Sequence, residues 1–179
     1  MTDAPAQHKY QVRFDWGQAG FRALAPFVDA VVVVDVLPEA DAAAPVVPGA
    51  DDTQVITAGF GNRTAVAEWV LARQSEKGDR FSVAVIAAGG LRGDGSARFA
   101  VEDLLASGAV IDALISLGID HCSPEAAAAS AAFVGLKQAV RHLVSASVSG
   151  QALAALGRDA EVRLAARLDD NRDVAALQR

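Results

Sequence analysis

The first half of the chain alternates short apolar runs with turn residues, and the second half carries helical spacing. Tyr10 to Phe14 predicts a short strand, and Trp16 to Leu24 a turn and short helix. Ala30 to Val36 (AVVVVDV) is the strongest strand signal; a continuous β-branched run of this kind suits a strand buried on both faces of a parallel sheet. Thr53 to Thr57 predicts a shorter strand. Asn62 is placed to cap a helix from Arg63 to about Gln74, in which Val66, Trp69 and Val70 recur at helical spacing. Ser82 to Ala87 (SVAVIA) predicts another buried strand, followed by a Gly-rich loop from Gly89 to Ser96.

Beyond that loop the pattern turns helical. Val101, Leu104, Leu105, Ile111, Leu114 and Ile115 line one face of a helix ending at Gly118. Ser123-Pro124 opens another, with proline at its first position and Phe133, Leu136, Val140 and Leu143 on one side. Shorter helices are expected from Gly150 to Leu156 and from Asp159 to Leu168. Strands alternating with helices argue for an α/β fold: a layered α/β/α domain with a mainly parallel sheet and a helical C-terminal half. One segment fits neither period. Pro38 to Asp52 (PEADAAAPVVPGADD) holds Pro38, Pro45 and Pro48 and reads as an extended linker within a single domain spanning residues 1–179.

Composition narrows the classes of function. The chain has 179 residues and 52% hydrophobic positions, enough to bury a core, which excludes global disorder. A net charge of −6 supplies no basic patch for nucleic acid and no polybasic membrane surface. The longest apolar run, Phe27 to Val36, is interrupted by Asp29 and Asp35 and falls short of the roughly 18–20 residues that span a bilayer. Met1 to Lys9 lacks the apolar segment of a secretory signal, so a cytoplasmic location is expected. The single cysteine, Cys122, excludes an intrachain disulfide and a thiolate metal cage.

In parallel α/β folds, ligands gather where strands end and helices begin. Three segments offer chemistry there. Asp35 interrupts a valine run near the end of its strand; a buried carboxylate needs a partner or a metal, whereas one at the strand tip merely caps a turn, and both readings stay open. Gly59-Phe60-Gly61-Asn62-Arg63-Thr64 connects a strand to a helix whose amides can hold an anion. It lacks the third glycine of the dinucleotide fingerprint and the Gly-Lys-Ser/Thr of a Walker loop, and a plain connection explains it better. The third segment runs from Ala87 through Gly89, Gly90 and Arg98 to Glu102 and Asp103. Acidic residues in a first helical turn favour the helix dipole; alternatively, with Asp35, they gather a hard cation such as Mg²⁺, and Arg98 binds an anionic group. His8, His121 and His142 have no metal-ligand spacing and are expected to face solvent, and no serine sits in a nucleophile elbow.

At these residues the chain resembles the 2-phosphosulfolactate phosphatase (ComB-like) family of Mg²⁺-dependent phosphatases. Val34-Asp35-Val36-Leu37 matches its Val-Asp-Val-Leu, and Gly61 to Ala67 is similar to its Leu-Asn-Ala-x-Ala-Val-Ala. Ala88-Gly89, then Arg98 to Ala109, match its Ala-Gly loop and Arg-x-x-Leu-Glu-Asp block, with Glu102-Asp103 in register. Ser149-Gly150, Leu153, Gly157, Val162 and Leu168-Asp169 resemble its later signature, and Val12 to Gly17 its opening in many high-GC bacteria. The chain departs from the family in two places. Pro38 to Asp52 replaces several dozen residues of phosphate-contacting loops, and Gly90 stands where an acidic residue is frequent.

The resemblance implies a phosphomonoester hydrolase acting on a small anionic phosphoester. Asp35, Glu102 and Asp103 would be its catalytic and Mg²⁺-holding residues, and Asn62, Gly89, Gly90 and Arg98 its substrate-binding ones. The loss of the central loops implies an alternative, a catalytically degenerate homologue that binds a ligand or serves a structural role. The Ala-rich helix from Pro124 to Val144 offers a close-packing face for a homodimer.

Overall fold

The computed structural model describes residues 7–38, 53–94 and 96–176, so the linker expected at Pro38 to Asp52 lies, from residue 39 on, outside the described residues. Four strands, β1 (Val12–Trp16), β2 (Ala30–Val34), β3 (Gln54–Ala58) and β4 (Val83–Ala87), form one sheet in the order β1-β4-β2-β3. Every pairing in it is parallel, as the uninterrupted β-branched runs foretold. All five residues of β2 and of β4 are buried.

Strand alternation divides the core in two. Val31, Val33, Val55, Ala84 and Ile86 face one way and pack with Phe21 and Leu24 of α1 (Gly17–Leu24). Ala30, Val32, Val34, Val83 and Val85 face the other way, into a larger core built with α2 (Arg63–Lys77), α3 (Val101–Ser116) and α4 (Pro124–Leu136). One helical layer is thus thin and the other thick. The same core takes in Val140 and Val144 of α5 (Val140–Ala146) and Val162 of α7 (Asp159–Ala165), with Leu153 of α6 (Val148–Ala155) packed against it.

The expected Pro124 helix is broken. A 3-10 turn at Lys137–Ala139 separates α4 from α5, which shifts the helical phase and leaves Leu136 42% exposed instead of in the core. The helix does begin as read, with the Ser123 hydroxyl accepting from Ala126 N at 3.1 Å. The Gly-rich loop also differs from expectation. It carries a hairpin of β5 (Gly90–Leu91) and β6 (Ala97–Arg98), which projects from the end of β4 and returns the chain to α3.

Both sheet edges are covered. Val12 of β1 donates to His121 O and accepts from Ser123 N. On β3, Thr57 N donates to Ala175 O, and Ile56 bridges antiparallel to Ala176. No helix among the described residues is long and apolar enough to cross a membrane.

Candidate active site

Parallel strands deliver their C-terminal ends to one rim of the sheet, and three of them set up the site. Asp35 follows the last paired residue of β2. Gly89 and Gly90 follow β4, and Glu102 and Asp103 open α3, directly behind the hairpin.

Asp103 is a structural clasp. Its Oδ1 accepts from Val36 N and its Oδ2 from Gly89 N, each at 2.9 Å, so one carboxylate ties the end of β2 to the loop after β4. Glu102 and Asp103 are each only 2% exposed, so helix-dipole compensation at a solvated terminus does not account for them. Burial pushes the Asp103 carboxyl up to about 8, and the charges of Asp35 and Glu102 push the same way. The two amide hydrogen bonds favour the charged form but are outweighed. The carboxyl most deeply engaged with the backbone therefore holds its proton well above the usual carboxylate range. Glu102 adds a second strained feature, because its Oε2 is buried with no hydrogen-bond partner.

Asp35, Glu102 and Asp103 thus belong to one neighbourhood, close enough for the first two to act on the third. They do not close a chelate: among the described residues no three His, Cys, Asp or Glu side chains are grouped to hold a metal ion. Asp35 alone of the three lines an open cleft of about 450 Å³, which also takes in Asn62 and the loop from Gly59 to Gly61.

Arg98 lies on the hairpin side of the acidic cluster. Its Nη2 donates to Ser149 Oγ at 3.0 Å, joining β6 to α6. Its guanidinium occupies the space that a Cβ at Gly90 would take, so the glycine is what lets the cation lie flat against the loop. Gly89 has φ +70°, a left-handed turn that also brings it against Arg98 O and the Trp16 ring. Its N–H is already given to Asp103, which removes it as a phosphate donor.

Asn62 is equally engaged. Its Oδ1 accepts from Gly59 N at 2.9 Å, and its Nδ2 donates to Thr57 O at 3.3 Å and Asp173 O at 2.9 Å. It makes no side-chain cap on α2. The anion expected at that helix N-terminus is supplied by the chain itself: Asp169 Oδ1 accepts from Thr64 N, and Asp169 Oδ2 pairs with Arg63 at 2.9 Å. Residues 169–176 therefore form a strap that closes the cleft from the side of β3, and Asp170 and Asn171 line it. Reading by strand ends overlooked this wall; Leu168-Asp169 was its one visible trace in the sequence. His121 and His142 are exposed as expected, while His8 is half-buried and stacks on Phe27.

A family model described as 2-phosphosulpholactate phosphatase matches residues 45–179, well over half of the chain. The match contains Asn62, Gly89, Gly90, Arg98, Glu102 and Asp103, while Asp35 lies upstream of it. No curated protein matches the chain.

Proposed function

The chain belongs to the 2-phosphosulpholactate phosphatase family, and on that footing we propose that it hydrolyses a small anionic phosphomonoester, with 2-phosphosulpholactate yielding sulpholactate and phosphate. The main structural support is the convergence of Asp35, Glu102 and Asp103 at one rim, with Asp35 open to a cleft. Phosphoryl transfer needs positioned positive charge rather than elaborate covalent chemistry, and this rim offers carboxylates that could hold a cation, with the Arg98 guanidinium near it.

Mg²⁺ suits the donor set, since it is commonly held by one or two carboxylates together with substrate phosphate and water. The unpartnered, buried Glu102 Oε2 is the group that most needs a cation or a proton. Asp35 and Glu102 are the residues that would hold the ion, which when bound would offset phosphate charge. Asp103 takes a positioning role, because both its oxygens serve backbone amides. Arg98, steadied by Ser149, neutralises the ester's anionic oxygens. Asp35 orients a water and accepts its proton as the oxygen attacks phosphorus; the ester P–O bond breaks and the leaving oxygen is protonated from solvent. Asn62 shapes the cleft through the loop it staples.

Phosphate release from 2-phosphosulpholactate is the test. Asp35→Asn and EDTA should each abolish release by the full chain. Release unaffected by either would overturn the metal-phosphatase reading. No release from the unaltered protein would favour the degenerate homologue.

A further inference from the structure

Arginine guanidiniums in this fold are almost all in use. Every described arginine outside one groove hydrogen-bonds to another group: Arg13 to backbone carbonyls, Arg63 to Asp169 and Asp112, Arg98 to Ser149, and the rest to neighbouring side chains. The exceptions are Arg141, Arg163 and Arg167. None of their guanidiniums has a hydrogen-bond or ion-pair partner among the described residues. All three are exposed, and all three converge on the same place.

That place is a pair of adjoining hollows between α5 and α7, of about 470 and 190 Å³, which share Arg141 and Arg167. Lys137 lines the larger hollow and Arg163 the smaller. Four cations surround the two hollows, in a chain of net charge −6, against one carboxylate, Asp170, at the far end of the larger. Asp170 lines the larger hollow where it approaches the Asp35 cleft, so negative charge is disfavoured at that end and favoured at the arginines.

We propose that this groove is a second anion-binding site, separate from the Asp35 cleft, for a small, multiply charged phosphate-type anion. Guanidinium forks match phosphate oxygens in bidentate geometry, and several around one hollow select for charge greater than one. The concave outline favours a compact ligand over a duplex, which needs an extended basic stripe. The assignment does not depend on the phosphatase reading, because none of its residues belongs to the acidic cluster.

Calorimetric titration of the full chain with pyrophosphate in chloride buffer tests it. Binding should be saturable, weakened about tenfold by Arg141→Gln or Arg167→Gln, and further by both together. Binding should persist in Arg98→Gln, and the two groove variants should leave phosphate release from 2-phosphosulpholactate unchanged. These side chains are exposed, so circular dichroism should show the native fold in each variant. The proposal is overturned if the unaltered chain shows no saturable binding. It is equally overturned if Arg98→Gln, rather than the groove variants, removes binding, since the anion would then sit in the cleft. Tighter binding of an oligonucleotide or acidic peptide than of pyrophosphate would overturn it too.

Discussion

The Asp103 carboxylate accepts a 2.9 Å hydrogen bond from the backbone N–H of Val36, one residue beyond Asp35. Helix α3 thereby sets where the end of β2 points, and the position of the catalytic candidate depends on a residue that never reaches the cleft. Asp103→Ala should cost about 1–3 kcal/mol of stability by stranding the buried Val36 amide and the partly buried Gly89 amide. It should also lower kcat for phosphate release more than it raises KM. Thermal unfolding and steady-state kinetics read the two effects; an unchanged kcat in a folded variant would detach Asp103 from the positioning of Asp35.

Burial raises the Asp103 carboxyl to about 8 from an ordinary value of 3.8. The folded state therefore holds this proton more tightly than the unfolded state across that interval. Its contribution is fully present below about 3.8 and is lost as pH rises through about 8. Denaturant midpoints should fall as pH rises from about 4 to about 8 in the parent chain and level off above that. In Asp103→Asn, which cannot titrate, that decline should flatten.

Gly90 makes room for the Arg98 guanidinium. Gly90→Ala should push aside the flexible end of Arg98 at little cost in stability, within about 0.5 kcal/mol. KM for the phosphoester should rise about tenfold, the scale of one charge-assisted contact. A variant with unchanged KM would separate the Arg98 position from substrate binding.

Asp169 caps α2 in trans and pairs with Arg63. Partial burial works against its charge, but the Thr64 and Arg63 contacts prevail and hold its carboxyl below the ordinary range. That stabilisation is present above the usual carboxylate pKa and disappears as pH falls through the lowered one. Asp169→Ala should loosen the strap, seen as faster amide exchange at Thr57 and Asn171. Asp169→Asn, which still accepts from Thr64 and tolerates the φ of +54° at this position, should lose less.

Gly108 of α3 lies so close to α4 that a Cβ would overlap the Ala129 carbonyl and crowd Phe133. Backbone cannot yield as a side-chain tip can. Gly108→Ala should destabilise by about 1–3 kcal/mol or more, read from chemical denaturation.

The sequence was most legible where one period dominated. The runs at 30–36 and 82–87 fit strands buried on two faces, and β2 and β4, which keep residues 30–34 and 83–87 of them, are the central pair. Glu102 and Asp103 were marked by their place in a first helical turn. What was not legible depended on partners far along the chain. Nothing local says that Asn62 spends its amide on Asp173, 111 positions away, or that Thr64 meets Asp169. Asp103 resembled a metal ligand because its two amide partners, Val36 and Gly89, are invisible to spacing. The break after Leu136 was missed because alanine-rich sequence supports helix on either side of the 3-10 turn.

One wall of the cleft is drawn from residues 164–171, long after β2 and β3 have been made. During synthesis, which adds about 5–20 residues per second, a ribosome that has delivered the sheet has not yet delivered the enclosure. A nascent chain halted before Asp169 carries Asp35 on an unwalled ledge, with the outer flank of β3 still seeking a neighbour. The walled cleft is therefore completed only once the trailing residues lie against β3.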